Sequence, residues 1–280
     1  MSDILSHLLE SENFDLILEE YELSKYELLS SIREEVIRHP EKFSPDEKEQ
    51  LKGFYLSNYS MIDLHSEPVI FISDTHYASK NENLIYTSLV MDYCRRNNIQ
   101  TLFHGGDIGD GMVQYSSKYF SVVKQIEHIV DVYPEDKRIK QYAVGGNHDL
   151  KYRKNGINLL KLLASEKKNF FPMGYSQAYF TIYGIPISFE HHCRIHACNR
   201  LVDSPLSIMG HAHKSRFTDR IIKLPTLSDD RHANNIDTLP GFVTMQAVLG
   251  EETVDLCFKR YFIENYQIEE DKPYIYQLKK

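Results

Sequence analysis

From residue 68 onward, short apolar runs alternate with longer amphipathic stretches. "PVIFIS" (68–73) is a continuous apolar run of strand length, the form of a strand buried on both faces. "NLIYTSLVMDYCRRNNI" (83–99) has the three-to-four spacing of an amphipathic helix. "QTLFHGGD" (100–107) reads as a strand, "SKYFSVVKQIEHIVDVY" (117–133) as a helix, "KQYAVGGNHD" (140–149) as a strand and "INLLKLLASEKKN" (157–169) as a helix. Strand-like pieces then follow one another: "QAYFTIY" (177–183), "IPISFEHH" (185–192), "LSIMGHAH" (206–213), "FTDRIIKLP" (217–225), "GFVTMQAVLG" (241–250) and "TVDLCFKRYFI" (253–263). Alternating strands and helices followed by a strand-rich half predict a layered α/β fold with two sheets between helices. Residues 1–60 read differently, as helices. Ser24-Lys25-Tyr26-Glu27 has the form of a capping box, and the helix it opens carries Leu29, Ile32 and Val36 on one face and should stop before Pro40. Ser44-Pro45-Asp46-Glu47 repeats the signal with proline at the first helical position.

Composition adds boundaries. The chain has 280 residues, 42% hydrophobic and 26% charged, which suits a globular protein and excludes a disordered one. No apolar run approaches the roughly 18 residues that span a bilayer. The acidic, helix-patterned start lacks the basic region and apolar core of a secretory signal, so a cytoplasmic protein with no membrane contact is expected. Cys94, Cys193, Cys198 and Cys257 are too few and too scattered for a disulfide scaffold.

The net charge of −8 sits entirely in residues 1–60, which hold 6 Lys+Arg and 14 Asp+Glu; the remaining residues hold 26 of each. That asymmetry predicts two units, a helical N-terminal module over 1–60 and an α/β domain over 61–280. Residues 15–38 could be drawn as a helix-turn-helix whose second helix exposes Lys25, Glu27, Ser30, Ser31 and Glu34. A DNA-reading helix brings net positive charge to the phosphates, and this one does not. A helical cap or interaction module, able to serve as a homo-oligomer contact, is the favoured reading; nucleic acid is a disfavoured partner.

The chemistry gathers at the ends of the apolar runs. "PVIFIS" leads into Asp74-Thr75-His76, "TLFHGG" into Asp107, "YAVGG" into Asn147-His148-Asp149, "ISFE" into His191-His192 and "LSIMG" into His211-Ala212-His213. Sites in α/β sheets collect at the carboxyl ends of strands, so these clusters should meet in space. Imidazoles, carboxylates and one amide form a nitrogen and oxygen donor set for hard or borderline divalent ions. The set is too large for one ion with open positions and suits two ions sharing a bridge. Asp107 is the natural bridge, because two glycines before it permit close backbone approach.

The run Asp74-x-His76, Gly106-Asp107, Gly146-Asn147-His148-Asp149, His191 and Gly210-His211-x-His213 resembles the five-part signature of the calcineurin-like metallophosphoesterases, across roughly residues 66–262. The resemblance implies a four-layer α/β/β/α sandwich, here with an N-terminal helical extension and with the catalytic domain over 61–280. It implies one metal on Asp74, His76, Asp107 and His213, and a second on Asp107, Asn147, His191 and His211. His148 would face the phosphate without binding metal, and Asp149 would orient His148 as carboxylates behind a histidine do. Two divalent ions about 3.5–4 Å apart clamp a phosphoester and generate a hydroxide that attacks phosphorus in line. Mn²⁺ is the favoured ion, with Fe²⁺, Zn²⁺ and Ni²⁺ as alternatives.

Departures from the pattern narrow the class. Protein Ser/Thr phosphatases carry Asp-Arg-Gly three residues after the bridge, whereas Asp110 is followed here by Gly111. They also carry Arg before and Glu after the Gly-Asn-His, where this chain has Gly145 and Asp149. Purple acid phosphatases need a tyrosine at the position of Asp110. The expectation is hydrolysis of a phosphodiester in a small substrate. A nuclease, a nucleotide phosphomonoesterase and a non-catalytic scaffold or regulator on the same fold are the alternatives.

Other residues carry open readings. His192 competes with His191 for the ligand position, although Ile187, Phe189 and His191 share strand parity. His104 reads as a core or supporting histidine, and Asp110 as a turn holder or as an acceptor for a ligand imidazole. "HHCRIHAC" (191–198) resembles a zinc site only superficially, since its first histidine is already used. Lys151, Arg153, Lys154, Lys214 and Arg216 flank the motifs and are either a solvated face or phosphate contacts.

Overall fold

The computed structural model describes residues 2–23, 25–51, 62–111, 117–174, 176–191, 204–229 and 236–280. Four helices come first: α1 (Ser2–Ser11), α2 (Phe14–Glu20), α3 (Lys25–Arg38) and α4, helical over 45–51. The second capping box is present in full: Ser44 N–H donates to Glu47 Oε2 at 2.7 Å, and Glu47 N–H donates to Ser44 Oγ at 3.2 Å. Ser24, of the first box, lies outside the described residues. Helix α3 ends at Arg38, two residues before Pro40, because proline cannot continue the backbone ladder.

Two sheets follow. One has the strand order β1-β6-β7-β8-β10-β9: β1 (Asp63–Leu64), β6 (Gln177–Ile182), β7 (Ile185–Glu190), β8 (Ser207–Met209), β10 (Ile221–Lys223) and β9 (Arg216–Phe217). The other runs β13-β12-β11-β2-β3-β4-β5, with β14 also pairing β12. Its strands are β2 (Val69–Ile72), β3 (Thr101–His104), β4 (Lys140–Val144), β5 (Phe170–Gly174), β11 (Gly241–Leu249), β12 (Thr253–Glu264), β13 (Gln267–Glu270) and β14 (Tyr274–Lys279). Strands β2 to β5 are parallel, linked by α5 (Leu84–Arg96), α6 (Val122–Val132) and α7 (Leu159–Glu166).

Side-chain parity sorts the residues between the layers. Val69, Phe71 and Phe103 face the first sheet, where Phe180 and Phe189 meet them, while Ile70, Ile72 and Leu102 pack against α5. Helices α6 and α7 cover Ala143 and Phe170. Gln177, opposite in parity to Phe180, points away from the inter-sheet core and accepts a 2.7 Å bond from Arg33 Nε of α3. The N-terminal helices therefore lie over the outer side of the first sheet, and the layer order is α/β/β/α. Leu5, Leu8, Ile17, Leu28 and Ile32 are buried in the same cluster as the inter-sheet residues.

Several elements differ from the sequence pattern. "FTDRIIKLP" is a hairpin of β9 and β10 rather than one strand, because Thr218 closes a turn with Ile221. Helix α6 starts at Val122, since Ser117 is held in an extended bridge to Ser79. Strand β5 contains Pro172, which is tolerated because β5 is the sheet edge.

Phe103 is the centre of the inter-sheet core. Its register neighbours Phe71 and Tyr142 stack on it at centroid distances of 5.1 and 5.5 Å, and Phe180 approaches from the other sheet at 4.8 Å. Phe103→Ala should cost about 3–5 kcal/mol, the range for emptying a buried aromatic site. Urea unfolding of the variant and the parent checks this; a loss below about 1 kcal/mol would mean that the core refills around the gap.

Candidate metal centre

Each predicted cluster sits just past a strand: Asp74 and His76 after β2, Asp107 after β3, Asn147 and His148 after β4, His191 after β7, and His211 and His213 after β8. Strands end there because the backbone turns sharply. Asp74, His76, Asp107, His211 and His213 all have left-handed backbone, with φ of 55°, 45°, 53°, 70° and 49°. Such conformations cost roughly 1–3 kcal/mol each in non-glycine residues and persist only where the surroundings enforce them. They swing the side chains back over the sheet edges toward one point.

Glycines let those turns approach. A Cβ on Gly146 would lie 2.1 Å from Asp107 Oδ1, and one on Gly210 would lie 2.1 Å from Ser73 Oγ. No side chain other than hydrogen fits between these turns.

The candidate donor atoms form two groups, one containing Asp107 and the other beside it. Asp74, His76 and His213 offer atoms within 4.8 Å of one another, and so do Asp107, His191 and His211. His76 Nε2 lies 3.8 Å from Asp74 Oδ1 and 3.9 Å from Asp107 Oδ2, which ties the first group to Asp107. His191 Nε2 lies 3.0 Å from Asp107 Oδ2 and 3.1 Å from Asn147 Oδ1, which ties in the second. Asp107 Oδ1 is occupied by the His148 backbone N–H at 2.8 Å, so a single oxygen, Oδ2, faces both groups. A third grouping of His76, Asp107 and His148 shares two members with these.

The residues fit cations on their own geometry. His191 Nδ1–H donates to the Gly105 carbonyl at 2.7 Å, which turns Nε2 toward two oxygens, where it either carries a proton or, on a neutral ring, offers its lone pair to a cation. Lone pairs converging on one point repel unless a cation stands among them, and backbone fixing of the other ring nitrogen is the usual support of a ligand histidine. Asp74 Oδ1 is fully buried and accepts no hydrogen bond in proper geometry, although His213 Nε2 is 3.2 Å away. Burial works to lower the pKa of His191, yet the Asp107 carboxylate overrides it and pushes the ring up to about 9. The pocket thus has a field strong enough to hold positive charge in a dehydrated place. His76, where burial dominates over Asp107 and Asp74, falls to about 4.

The supporting contacts differ in part from expectation. Asp149 does not touch His148: its carboxylate accepts the backbone N–H groups of Gly146 (2.8 Å), Gly109 (2.9 Å) and Ile108 (3.2 Å). His148 is oriented instead by the Asp110 carbonyl, 2.5 Å from its Nδ1. The correction has a physical cause: Asp149 opens a 3-10 turn, and its buried side chain is drawn to three free amide donors of the neighbouring turns. Burial, together with the Asp107 charge, pushes the Asp149 carboxyl up to about 7 against those three donors. His192, Cys193 and Cys198 lie outside the described residues.

His104 supports the turn that carries Asp107. Its Nδ1 accepts the Gly106 N–H at 3.2 Å and its Nε2 is 3.1 Å from Thr75 Oγ1, whose own proton goes to the Ile108 carbonyl. The ring is therefore neutral, with hydrogen on Nε2, and burial holds its pKa down to about 3. Two supports carry no sequence signal. Thr226 Oγ1 donates to the Asp74 carbonyl at 3.0 Å, and Arg260 joins Asp237 and Asp271 while donating to the carbonyl of Ser215, two residues past His213. Neither lies in a periodic run or beside a motif.

The calcineurin-like phosphoesterase profile matches residues 67–258. The chain belongs to the calcineurin-like phosphoesterase family. All seven candidate donor residues fall within the match. Among solved structures it resembles Vps29 of Cryptosporidium parvum (16% identity, 76% of this chain and 98% of that one, TM-score 0.44). Vps29 of Entamoeba histolytica in complex with zinc is similar at 11% identity, 74% and 98% coverage, and TM-score 0.43. The calcineurin-like phosphoesterase YfkN of Bacillus subtilis is similar at 8% identity, 76% and 90% coverage, and TM-score 0.36. Likeness at this level carries no information on activity. No curated protein matches the sequence.

His104 generates a pH prediction. The unfolded ring takes up a proton near 6.5, whereas the folded ring resists protonation until about 3. Its contribution is present above 6.5 and is lost as pH falls toward 3, by at most about 1.4 kcal/mol per pH unit. Urea unfolding in chelator, from neutral pH to pH 4, should show the parent losing stability more steeply than His104→Gln. Parallel curves would mean that the ring is charged in the fold.

Proposed function

We propose that this family member hydrolyses a phosphodiester at a dinuclear metal centre. The observation that carries the reading is Asp107 Oδ2, one carboxylate oxygen facing both donor groups. Asp74, His76, Asp107 and His213 would hold one ion, and Asp107, Asn147, His191 and His211 the other, with Mn²⁺ the favoured metal. Two such ions supply Lewis acidity toward the phosphoryl oxygens and an activated water. The chain's own part is to position and to move protons. Asp107 and Asn147 are fixed by the Asp149 cradle, so the donors need no rearrangement. His148 Nδ1–H is committed to the Asp110 carbonyl, which leaves Nε2 to meet the substrate. As water oxygen bonds to phosphorus and the ester P–O bond breaks, Nε2 delivers a proton to the departing oxygen.

The acidic residues 1–60, proposed as a unit distinct from 61–280, repel long polyanions and favour small substrates. Among the described residues, no helix is long and apolar enough to cross a membrane.

Asp107→Asn should lose much of its bound metal and nearly all turnover. His148→Ala should keep both ions while turnover falls by about 10²- to 10⁴-fold, the usual loss for a positioned acid–base group. Elemental analysis of the two variants decides: a His148→Ala protein stripped of metal makes that residue a ligand and defeats the assignment.

Substrate class follows from the residues around the bridge. With Gly111 after Asp110, and Asp110 itself where a ligand tyrosine would stand, kcat/KM for an aryl phosphodiester should exceed that for the matching monoester, with single-stranded DNA the poorest substrate. A monoester preference under several metals would refute the diester reading. Bound metal with no turnover on any ester would turn the molecule into a scaffold on a phosphoesterase fold.

A further inference from the structure

The segment after the Asn147-His148 turn is a 3-10 helix over Asp149–Asn155. Seven residues is long for this conformation, which rarely exceeds three or four. Its length has a cause in the sequence. Asp149 and Tyr152, three apart, are both buried anchors: Asp149 holds three backbone amides, while Tyr152 OH accepts the Gly111 N–H at 3.1 Å and donates to Gln125 Oε1 at 2.9 Å. Anchors three residues apart impose a three-residue period. At that period side chains eclipse, at a rise of about 6 Å per turn. The next face therefore carries His148, Lys151 and Lys154 in one row, leading away from the metal centre.

Lys151 occupies the step beside the site. Its backbone N–H bonds the His148 carbonyl at 3.1 Å, and its ammonium lies 3.4 Å from His148 Nδ1. That nitrogen already gives its hydrogen to Asp110, so it offers the ammonium no lone pair. No carboxylate pairs with Lys151 among the described residues, although the side chain is half-buried. Burial lowers its pKa, and the charges of Asp107 and Asp110 oppose that shift. A half-buried, unpaired ammonium is costly unless an anion completes it.

We propose that Lys151 receives a second phosphate of the substrate, next to the scissile one, and that Lys154 extends the same row. The substrate class is then a small ester carrying a pyrophosphate or a longer phosphate chain, rather than a simple diester with neutral arms. This rests on the phosphoesterase reading and deepens it. Lys151 adds charge-assisted contacts to the second phosphate only, so it discriminates by substrate charge.

The test is equilibrium binding of ribose-labelled fluorescent AMP and ADP to the full chain, by anisotropy, with Mn²⁺ in excess over nucleotide. The parent should bind ADP about tenfold or more tighter than AMP, the size expected of one charge-assisted contact. Lys151→Ala should erase most of that ratio by weakening ADP, Lys151→Arg should preserve it, and Lys154→Ala should reduce it by less. Equal weakening of both nucleotides in Lys151→Ala overturns the proposal, as does a short DNA oligomer that displaces ADP at equal phosphate concentration. Hydrolysis of bis(p-nitrophenyl) phosphate, run in parallel on the parent, separates the two readings. Absent turnover with an intact ADP-to-AMP ratio removes the proposed function and leaves the Lys151 site standing, whereas turnover without the ratio does the reverse.

Discussion

The site depends on one buried carboxylate making three bonds to backbone. Asp149 accepts from Ile108 and Gly109 on the turn after β3 and from Gly146 on the turn after β4. Those turns carry Asp107 and the pair Asn147-His148. Without the cradle, parallel strands would fix their own ends but not the relative position of the loops beyond them. A carboxylate with three N–H donors is a strong acceptor, and burial makes the alternative, an unsatisfied amide, expensive. Cations at the donor groups would offset the Asp107 charge that opposes Asp149, so loading the site and closing the cradle favour one another.

Around that cradle the chain tolerates what it avoids elsewhere. Five donor residues are left-handed, and Asp74 and Asp107 are almost wholly buried. The compensation is local and identifiable. Thr226 and Leu227 bond the Asp74 and Ser73 carbonyls, His104 bonds the Gly106 N–H, and the His211 N–H meets Asp74 Oδ2 at 2.9 Å. Each contact holds a strained turn by backbone atoms, leaving side-chain donor atoms directed inward. Strain of this kind, enforced by so many independent bonds, is characteristic of preorganised sites.

The candidate donor residues stand out in the sequence because their chemistry conflicts with their position. A polar cluster directly after an apolar run has no packing role, and Asp74, Asp107, Asn147, His191 and His211 all announce themselves in that way. The buried strands and the three helices between them follow from periodicity for the same reason. Asp149 was legible as important but not in its role, because the choice between an imidazole and three amides is made by loop geometry. Thr226 and Arg260 were illegible: they act through carbonyls of residues distant in sequence. Strands β5, β13 and β14 escaped because edge strands with proline or charge lack a clean alternation.

The N-terminal segment connects to this architecture through polarity as well as packing. Arg33 Nε donates to Gln177 Oε1, Gln177 Nε2 donates to Ser188 Oγ at 3.1 Å, and Ser188 Oγ donates to Glu190 Oε1 at 2.5 Å. Ser207 adds a second donor to the same oxygen at 3.3 Å. Every bond in the chain points one way, from a guanidinium on α3 to a carboxylate one residue ahead of His191. A one-way series of donors polarises along its length and joins its end charges without bringing them into contact. Glu190 is buried, so the series carries the polarity of a cation on α3 into the interior of the first sheet. The boundary near residue 60 thus divides the charge of the protein but not its core, and the acidic segment contributes the arginine from which this series of donors starts.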